Sequence, residues 1–453
     1  MSVEAFLRDL PQVTAQTEPA IVKRKSRDFY WYSPALKARL HGLAAQAVVM
    51  PRTTADVLAI AHAARRHGVA LTVRGGGTGN YGQAVPLEQG VIVDMTDMNR
   101  LLKVENGVAR VQAGANMLAL DRELRQQGLE IRMFPSTKRT ASVGGFYCGG
   151  SGGIGSIRWG GLNNPGNLLG GQLVTLAEQP VVEELRGQDA FCLLHAYGTT
   201  GIVTELDIPV EPAIDWQDMV LGFADFAAAA AFGRLLALQP GIDRKLVSVV
   251  EAGLVPYFPH MPDVVPPGQA IVIAMVAPAA VTVVEELARL HNGSPCYRAA
   301  THEAEDNPTQ MPLYELTWNH TTLQVLKKDK SFTYLQCLHP VHETLASVAT
   351  MASLLGDEVM FHLEFMNIGG QITCSGLPVI RFTTQERLDE IIALFRAHGV
   401  NVANPHVYTL EEGSPHQKIP PALLEAKKRN DPLGLLNPGK MRSFVPTGHG
   451  VQA

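Results

Sequence analysis

The chain has 453 residues, of which 46% are hydrophobic and 18% charged, and its formal net charge is −5. That length predicts two or three domains with their own cores, the charge leaves no basic surface for nucleic acid, and no apolar stretch is long enough to span a membrane. The acidic start lacks the order of a secretory signal and the five cysteines form no C-x-x-C pair, so we expect a cytoplasmic protein without a disulfide framework or a zinc site.

The first ordered pattern is a strand, a helix and a second strand. Val48–Pro51 predicts a short strand that ends at proline. Thr53 and Asp56 resemble a capping box at the start of a helix, and Gly68 supplies its stop. Val69–Val73 is apolar and β-branched, which predicts a buried strand.

A glycine-dense loop follows that second strand. It consists of Arg74, Gly75, Gly76, Gly77, Thr78, Gly79, Asn80, Tyr81 and Gly82. Glycines let the backbone approach a ligand closely, and successive N–H groups that point into one concavity bind an anion such as phosphate. Arg74 would add fixed positive charge beside them. An ordinary hairpin loop stays open as the alternative.

The same loop contains the outline of a dinucleotide-binding motif, because Gly77, Gly79 and Gly82 match G-x-G-x-x-G. A Rossmann site requires this loop to open a helix whose N-terminus holds the pyrophosphate. Pro86 and the next predicted strand, Val91–Met95, leave no room for such a helix. We therefore reject the Rossmann interpretation.

A second glycine- and serine-rich segment spans residues 135–156, after strand signals at 109–114 and a predicted helix at 117–127. This composition is typical of linkers, but Ile154, Ile157 and Trp159 predict an ordered segment. We expect its backbone to run along an extended ligand. After a predicted strand at 168–176, Gly198–Leu206 gives a third glycine turn that leads into a strand.

Four short motifs occur in one order along the chain: Arg74–Gly79, Ser142–Gly145, Gly201–Thr204 and Asp431–Lys440. They resemble the first pyrophosphate loop, the (S/T)-(V/I)-G-G loop, the G-(I/V)-(I/V)-T turn and the closing D-P-x-x-x-L-N-P-G-K of the vanillyl-alcohol-oxidase superfamily, which has PCMH-type FAD-binding domains. The pattern is most similar to the branch that holds the glycolate-oxidase D-subunit and D-lactate dehydrogenase.

The resemblance implies an α+β fold with an FAD-binding domain of two subdomains. We expect that domain to cover residues 1–212, with its core at about 45–212. A substrate domain should cover 213–420, with an antiparallel sheet capped by helices. A C-terminal segment, 421–453, should return to the FAD domain.

The resemblance also implies a bound FAD. Relatives that attach flavin covalently use a histidine where this chain has Thr78, or a cysteine where it has Arg139 and Thr140, so we expect non-covalent FAD. Cys148 falls on the family's serine position beside the cofactor; a small packing residue is the alternative. The residues implied for FAD binding are Arg74, Gly75, Gly76, Gly77, Thr78, Gly79, Asn80, Gly82, Pro135, Ser136, Thr137, Ser142, Gly144, Gly145, Cys148, Ser151, Gly152, Gly155, Gly201, Ile202, Val203 and Asn437.

The last motif contains a second misleading outline, because Gly434, Gly439 and Lys440 have the spacing of a Walker A loop. Met441 replaces the Ser or Thr that binds magnesium, and Pro438 interrupts the loop. We reject a nucleoside triphosphatase.

Candidate catalytic residues lie in the second half and in the tail: His320, His362, Glu364, Lys418 and Lys440. His320 belongs to a polar and aromatic patch with Trp318 and Asn319, and strand alternation places His362 and Glu364 on one face. A histidine suits a general base near neutral pH, and the lysines would stabilise negative charge. A structural role is the alternative for each residue. No segment matches the H-x-G-D-G-N-L-H zinc ligands of metal-dependent relatives, so we predict no metal.

The resemblance therefore implies an FAD-dependent oxidoreductase that oxidises a CH–OH group, in a 2-hydroxy acid or related alcohol, by hydride transfer to flavin N5. Oxygen or an electron carrier would be the acceptor, and a homodimer is compatible with the family. Three alternatives stay open: an oxidase or dehydrogenase of a sugar, polyol or aromatic alcohol, a flavin-binding electron-transfer subunit, and a scaffold without cofactor.

Overall fold

The computed structural model describes residues 2–307, 309–414 and 418–447. Its strands are β1 (Thr14–Gln16), β2 (Ala47–Met50), β3 (Leu71–Arg74), β4 (Val91–Asp94), β5 (Leu101–Glu105), β6 (Val108–Gln112), β7 (Leu129–Ile131), β8 (Gly170–Val174), β9 (Val182–Arg186), β10 (Ile202–Pro212), β11 (Gln217–Phe223), β12 (Arg244–Val250), β13 (Ala270–Val276), β14 (Ser294–Ala300), β15 (Phe332–Tyr334), β16 (Gln336–His339), β17 (Val359–Met360), β18 (His362–Ile368), β19 (Gln371–Gly376), β20 (Val379–Arg381) and β21 (Asn401–Ala403).

The helices are α1 (Val3–Arg8), α2 (Pro19–Lys25), α3 (Pro34–Leu40), α4 (Thr54–His67), α5 (Met117–Arg125), α6 (Val143–Gly149), α7 (Ser156–Trp159), α8 (Phe226–Leu238), α9 (Met261–Val264), α10 (Val281–Leu290), α11 (Thr301–Asp306), α12 (Asn319–Lys328), α13 (Thr344–Leu355), α14 (Gln385–Ala397), α15 (Leu410–Gly413) and α16 (Pro421–Asn430). Among the described residues, no helix has both the length and the apolar character that crossing a bilayer requires.

The first sheet has the strand order β1-β2-β4-β3, in which β2, β4 and β3 run parallel. Its β2-α4-β3 start follows the sequence pattern closely. The Thr53 side chain accepts from the backbone N of Asp56 while the Asp56 carboxylate accepts from the backbone N of Thr53, and Gly68 ends α4 at φ 62°. β3 leads into the first glycine loop, and residues 75–90, all of them described, contain no helix.

The second sheet is antiparallel, with the order β5-β6-β10-β8-β9 and β7 paired to the far end of β10. The long central strand β10 starts at the third glycine turn, which is therefore held at the N-terminal end of that strand. The second glycine segment contains the short helix α6. Ser142 caps its N-terminus, where the Ser142 Oγ accepts a hydrogen bond from Gly145 N.

The third sheet has eight antiparallel strands in the order β14-β11-β13-β12-β18-β19-β16-β21. Helices α8, α13 and α14 cover one face, where Phe232, Met351 and Ile391 are buried with Val247 and Leu363 of the sheet. The opposite face packs against residues of the N-terminal half. This sheet with its helices confirms the α+β fold class.

The segment around His362 and Glu364, for which the sequence predicted a strand, contains two strands that belong to different sheets, β17 and β18. β17 pairs with β20 in a three-stranded sheet, whereas β18 pairs with β12 and β19 in the eight-stranded sheet. The break lies at Phe361, whose backbone N donates to Glu251 Oε2 instead of joining a ladder. Apolar periodicity alone does not show such a change of partner.

The C-terminal segment returns to the first sheet. Leu71 N in β3 donates to Leu435 O at 2.7 Å, and Asn437 N donates to Leu71 O at 2.7 Å. This pairing agrees with a tail that rejoins the N-terminal half, but the domain limits at 212 and 420 stay predictions. Residues 448–453 of that segment lie outside the described residues.

Candidate functional site

A cavity of about 600 Å³ lies between the glycine segments and the eight-stranded sheet. All three glycine segments contribute to its wall, through residues within 74–81, 135–152 and 197–203. The second half of the chain contributes the start of α12, residues of β16, β18, β19 and β21, and Leu377. This volume falls within the range of about 300–1,000 Å³ that is common for small-molecule sites.

The first and second glycine segments pack directly on one another. A Cβ on Gly75 would lie 2.0 Å from Ser142 Oγ, and a Cβ on Gly76 would lie 2.2 Å from Thr140 O. Ser142 Oγ accepts from Gly145 N at 3.2 Å and from Gly76 N at 3.3 Å. The glycines therefore allow two loops to form a single backbone surface, and the Ser142 hydroxyl joins them.

Arg74 joins the first glycine loop to residues 25–27. Its Nη1 donates to Lys25 O at 3.0 Å and to Arg27 O at 2.5 Å, and a Cβ on Gly77 would lie 1.9 Å from its Nη2. Burial lowers the pKa of Arg74, whereas the carboxylates of Asp94 and Asp28 act in the opposite direction. Because this guanidinium is bound to two backbone carbonyls, it holds residues 25–27 against the loop as well as adding charge.

Most of the residues that the sequence implied for cofactor binding line this one cavity. These are Arg74, Gly75, Gly76, Gly77, Thr78, Gly79, Asn80, Pro135, Ser136, Thr137, Ser142, Gly144, Gly145, Cys148, Ser151, Gly152, Gly201 and Val203. Asn80 also contacts the second half of the chain, since its Nδ2 donates to Tyr334 Oη at 2.6 Å. The three segments thus meet, although they are separated by tens of residues in the sequence.

Four implied residues, Gly82, Gly155, Ile202 and Asn437, lie outside the lining. Two of them, Asn437 and Gly82, take part in hydrogen bonds that join the closing motif to the glycine segments. Asn437 Nδ2 donates to Tyr197 O at 2.6 Å and to Gln83 O at 2.9 Å, and Gly82 O accepts from Lys440 Nζ at 2.6 Å. The closing motif therefore supports the wall of the cavity, and its contact with a cofactor stays a prediction.

Sequence reasoning missed several lining residues, among them Asp28, Tyr81, Gln83, Tyr197 and Gln336. Gln336 Nε2 donates to Tyr81 Oη, and it lies 3.5 Å from Asn319 Oδ1. Tyr81 stands inside the first glycine segment and could have been singled out there. Gln336 carries no local signal, because its place follows from pairing of β16 in the third sheet.

His320 is the candidate base that reaches the cavity. It is the second residue of α12, and its Nδ1 is buried without a hydrogen-bond partner among the described residues. Burial lowers its pKa to about 4, and the positive charge of Lys327 contributes to this lowering. The imidazole is therefore neutral near pH 7, which is the form that accepts a proton.

His362 and Glu364 lie behind the cavity wall and not on it. Both are fully buried, and His362 Nε2 lies 2.8 Å from Glu364 Oε1 and 3.0 Å from Ser248 Oγ. Glu364 Oε1 also accepts from Trp318 N at 2.7 Å. As predicted, the two residues share one strand face, but that face supports residues 318–320 rather than a ligand.

The two candidate lysines also lie off the cavity. Lys440 is fully buried, donates to Gly82 O and has a pKa lowered by burial, which the carboxylate of Asp28 partly opposes. Lys418 is exposed, and residues 415–417, which precede it, lie outside the described residues. The catalytic roles of both lysines stay predictions. Within the described ranges, no group of three or more His, Cys, Asp or Glu side chains is arranged to hold a metal ion.

Comparison with known proteins finds an FAD-binding domain in the N-terminal half of the chain. Residues 45–179 match the model of the FAD binding domain. An uncharacterized FAD-linked oxidoreductase of Mycobacterium tuberculosis is 34% identical over 209 residues, which cover 42% of this chain and 44% of that protein. The glycolate oxidase subunit GlcD of Bacillus subtilis is 29% identical over 195 residues, 41% of each chain. The matches thus span less than half of the length of these curated relatives.

The fold extends further than the sequence similarity. A solved structure of alkyldihydroxyacetonephosphate synthase superposes with a TM-score of 0.71 at 15% identity, and covers 97% of this chain and 85% of that chain. At that identity the likeness concerns the fold alone. Together these matches confirm the resemblance and the FAD-binding domain predicted from the glycine segments.

Proposed function

We propose that this chain, in which residues 45–179 form an FAD-binding domain, is an FAD-dependent oxidoreductase that oxidises a CH–OH group. The observation that carries the proposal is the shared cavity. Three glycine segments line it, and His320 contributes a neutral imidazole to the same cavity from the second half.

The residues present fit FAD. An elongated dinucleotide needs a long wall at which backbone comes close to the ligand, and the packed glycines of the first two segments form such a wall. We propose that residues 75–79 and 144–145 hold the pyrophosphate. Attachment would be non-covalent, because Thr78 offers no group for a bond to the ring and the Arg139 Nη2 donates away from it, to Ala304 O at 2.8 Å.

FAD, when bound, supplies a two-electron acceptor for the hydride of the carbinol carbon. We propose that the imidazole of His320 takes the hydroxyl proton of the substrate, since this ring is neutral near pH 7 and lines the cavity. Tyr81 and Gln336, joined by their hydrogen bond, would orient the substrate. Trp318 lines the same wall and would help to exclude water.

Anaerobic reduction tests the proposal. The protein is loaded with FAD, oxygen is removed, and absorbance near the flavin band is followed after addition of hydroxy acids, polyols, sugars and aromatic alcohols. Bleaching by any member of this set is expected. A yellow protein that none of them bleaches would contradict the proposal and favour an electron-transfer subunit, a role that is compatible with the subunit name of the relative GlcD. Because residues 45–179 match an FAD-binding domain, we do not retain the alternative of a scaffold that binds no cofactor.

The name of the glycolate oxidase relative places 2-hydroxy acids among the substrate classes to be tested, beside neutral alcohols. We further propose a cytoplasmic enzyme that passes electrons to oxygen or to a carrier and forms a homodimer. Stopped-flow reoxidation with oxygen and with a quinone or dye distinguishes the acceptors. Light scattering of the purified protein tests the dimer.

A further inference from the structure

We infer that the group next to the oxidised carbon of the substrate is uncharged, so that the enzyme prefers neutral alcohols to 2-hydroxy acids. The inference rests on the proposed function and narrows it. It comes from the chemistry of the cavity wall that the second half of the chain provides.

Among the described residues, the polar side chains on that wall are indole, amide, imidazole, thiol and hydroxyl groups. They belong to Trp318, Asn319, His320, Gln336, Cys337, Ser375 and Asn401. The other wall residues from this half are apolar: Leu338, Met366, Ile368, Leu377 and Ala403. The imidazole of His320 is neutral near pH 7, since its pKa is lowered to about 4.

The cationic side chains nearest in the sequence to this wall are bound elsewhere. Lys327 Nζ donates to Gln324 Oε1 at 3.1 Å, and Lys328 Nζ donates to Pro256 O at 2.7 Å. Arg74 lines the glycine-segment side of the cavity, where its Nη1 donates to Lys25 O and Arg27 O, and Lys440 lies off the lining and donates to Gly82 O. Lys418 is exposed and does not line the cavity.

A carboxylate bound against this wall would therefore leave water for neutral partners. Burial of an ion costs several kcal/mol unless a counter-charge and hydrogen bonds compensate it. Asp28 and Arg74 both line the glycine-segment side of the cavity, where their opposite charges attract each other, so this side offers a carboxylate no uncompensated positive charge. Neutral hydroxyl and amide groups, by contrast, find donors and acceptors on Tyr81, Gln336 and Asn319.

Matched pairs of substrates test the inference. D- and L-lactate are compared with the corresponding lactamides, and mandelate with mandelamide, because each pair differs in charge and hardly in shape. The rate constant for anaerobic FAD reduction and the half-saturating concentration are measured for each compound. The reduction efficiency is the rate constant divided by the half-saturating concentration. In the pair that reduces FAD faster, we expect the efficiency of the amide to exceed that of its acid by about 10-fold or more, because the acid would bury an unpaired charge.

The outcomes separate this inference from the proposed function. Acids that reduce the FAD as efficiently as their amides, or more efficiently, would overturn the inference and leave the function intact. If neither acids, amides nor other alcohols reduce the FAD, the proposed function fails and the inference fails with it.

A charge introduced at the wall gives an independent test. Gln336→Lys and, as a second variant, Asn401→Lys place an ammonium group at the cavity, and each should raise the acid-to-amide efficiency ratio by about 10-fold. Gln371→Lys is the matched control, since Gln371 is exposed on the neighbouring strand β19 and should leave the ratio unchanged. A ratio that stays constant in both cavity variants would contradict the inference.

Discussion

Glu364 Oε1 accepts a hydrogen bond of 2.7 Å from the backbone N of Trp318, a residue held at φ 52° and ψ −140°. Such a backbone conformation costs a residue with a side chain about 1–3 kcal/mol. The buried carboxylate offsets this cost and directs Trp318, Asn319 and His320 to the cavity. Glu364 is thus a positioning residue in our account.

Glu364→Ala should lower the free energy of unfolding by about 1–3 kcal/mol, because the backbone N of Trp318 loses its buried hydrogen-bond acceptor. It should also slow anaerobic reduction of bound FAD, since the wall that contains His320 is no longer held. Glu364→Gln keeps an oxygen acceptor for Trp318 N and should restore most of the reduction rate. Urea unfolding and stopped-flow reduction measure both effects. Equal reduction rates in wild type and Glu364→Ala would refute the positioning role.

Gly76→Ala should weaken FAD binding, because its new Cβ would lie 2.2 Å from Thr140 O and would separate the two loops. We expect the dissociation constant of FAD, measured by fluorescence titration of the apoprotein, to rise about 10-fold or more. Gly241→Ala is the control, since a Cβ there meets no atom within 4 Å. Unchanged FAD affinity in Gly76→Ala would be inconsistent with the shared wall.

His320→Ala should leave the FAD content unchanged and slow anaerobic FAD reduction by about 10²–10⁴-fold, the usual contribution of a general base. The base must be unprotonated, and its pKa is lowered to about 4, so the wild-type rate should be constant from pH 8 down to about 6 and fall only as pH approaches 4. His291→Ala, at an exposed histidine, serves as control. A reduction rate that His320→Ala does not change would remove His320 from the mechanism.

His406 should make the fold sensitive to acid. Its ring is buried between Ser33 Oγ at 2.8 Å and Tyr334 O at 2.9 Å, and burial lowers its pKa to about 4. The ordinary pKa near 6.5 applies to the unfolded chain, so between pH 6.5 and 4 the unfolded chain binds a proton at His406 more readily than the folded protein does. The contribution of neutral His406 to the stability of the fold is therefore present above pH 6.5 and is lost as pH falls toward 4.

The difference in unfolding free energy between wild type and His406→Gln should therefore shrink from pH 7.5 to pH 5. A difference between two variants is the right quantity, because Asp218, whose pKa burial raises to about 7, changes total stability in the opposite direction. Urea unfolding at the two pH values measures it. A difference that grows on acidification would show that His406 is not held in its neutral form.

The glycine segments were predictable from sequence because their function depends on local backbone freedom, and Gly75 to Gly79 line the cavity as expected. His362 and Glu364 show what local patterns leave open. Strand alternation correctly gave them one face, but only the packing of β18 beside β12 decides that this face is buried. Gln336 reaches Tyr81 across 255 positions, and no short-range periodicity encodes that contact.

An absorption spectrum shows whether the three glycine segments bind FAD and whether they do so without a covalent bond. Absorbance of the purified protein is recorded, after FAD addition and desalting if required, and the protein is then precipitated with acid. We predict flavin bands at about one FAD per chain that pass entirely into the supernatant. A protein that stays colourless after exposure to FAD, or a precipitate that keeps the yellow colour, would contradict the account.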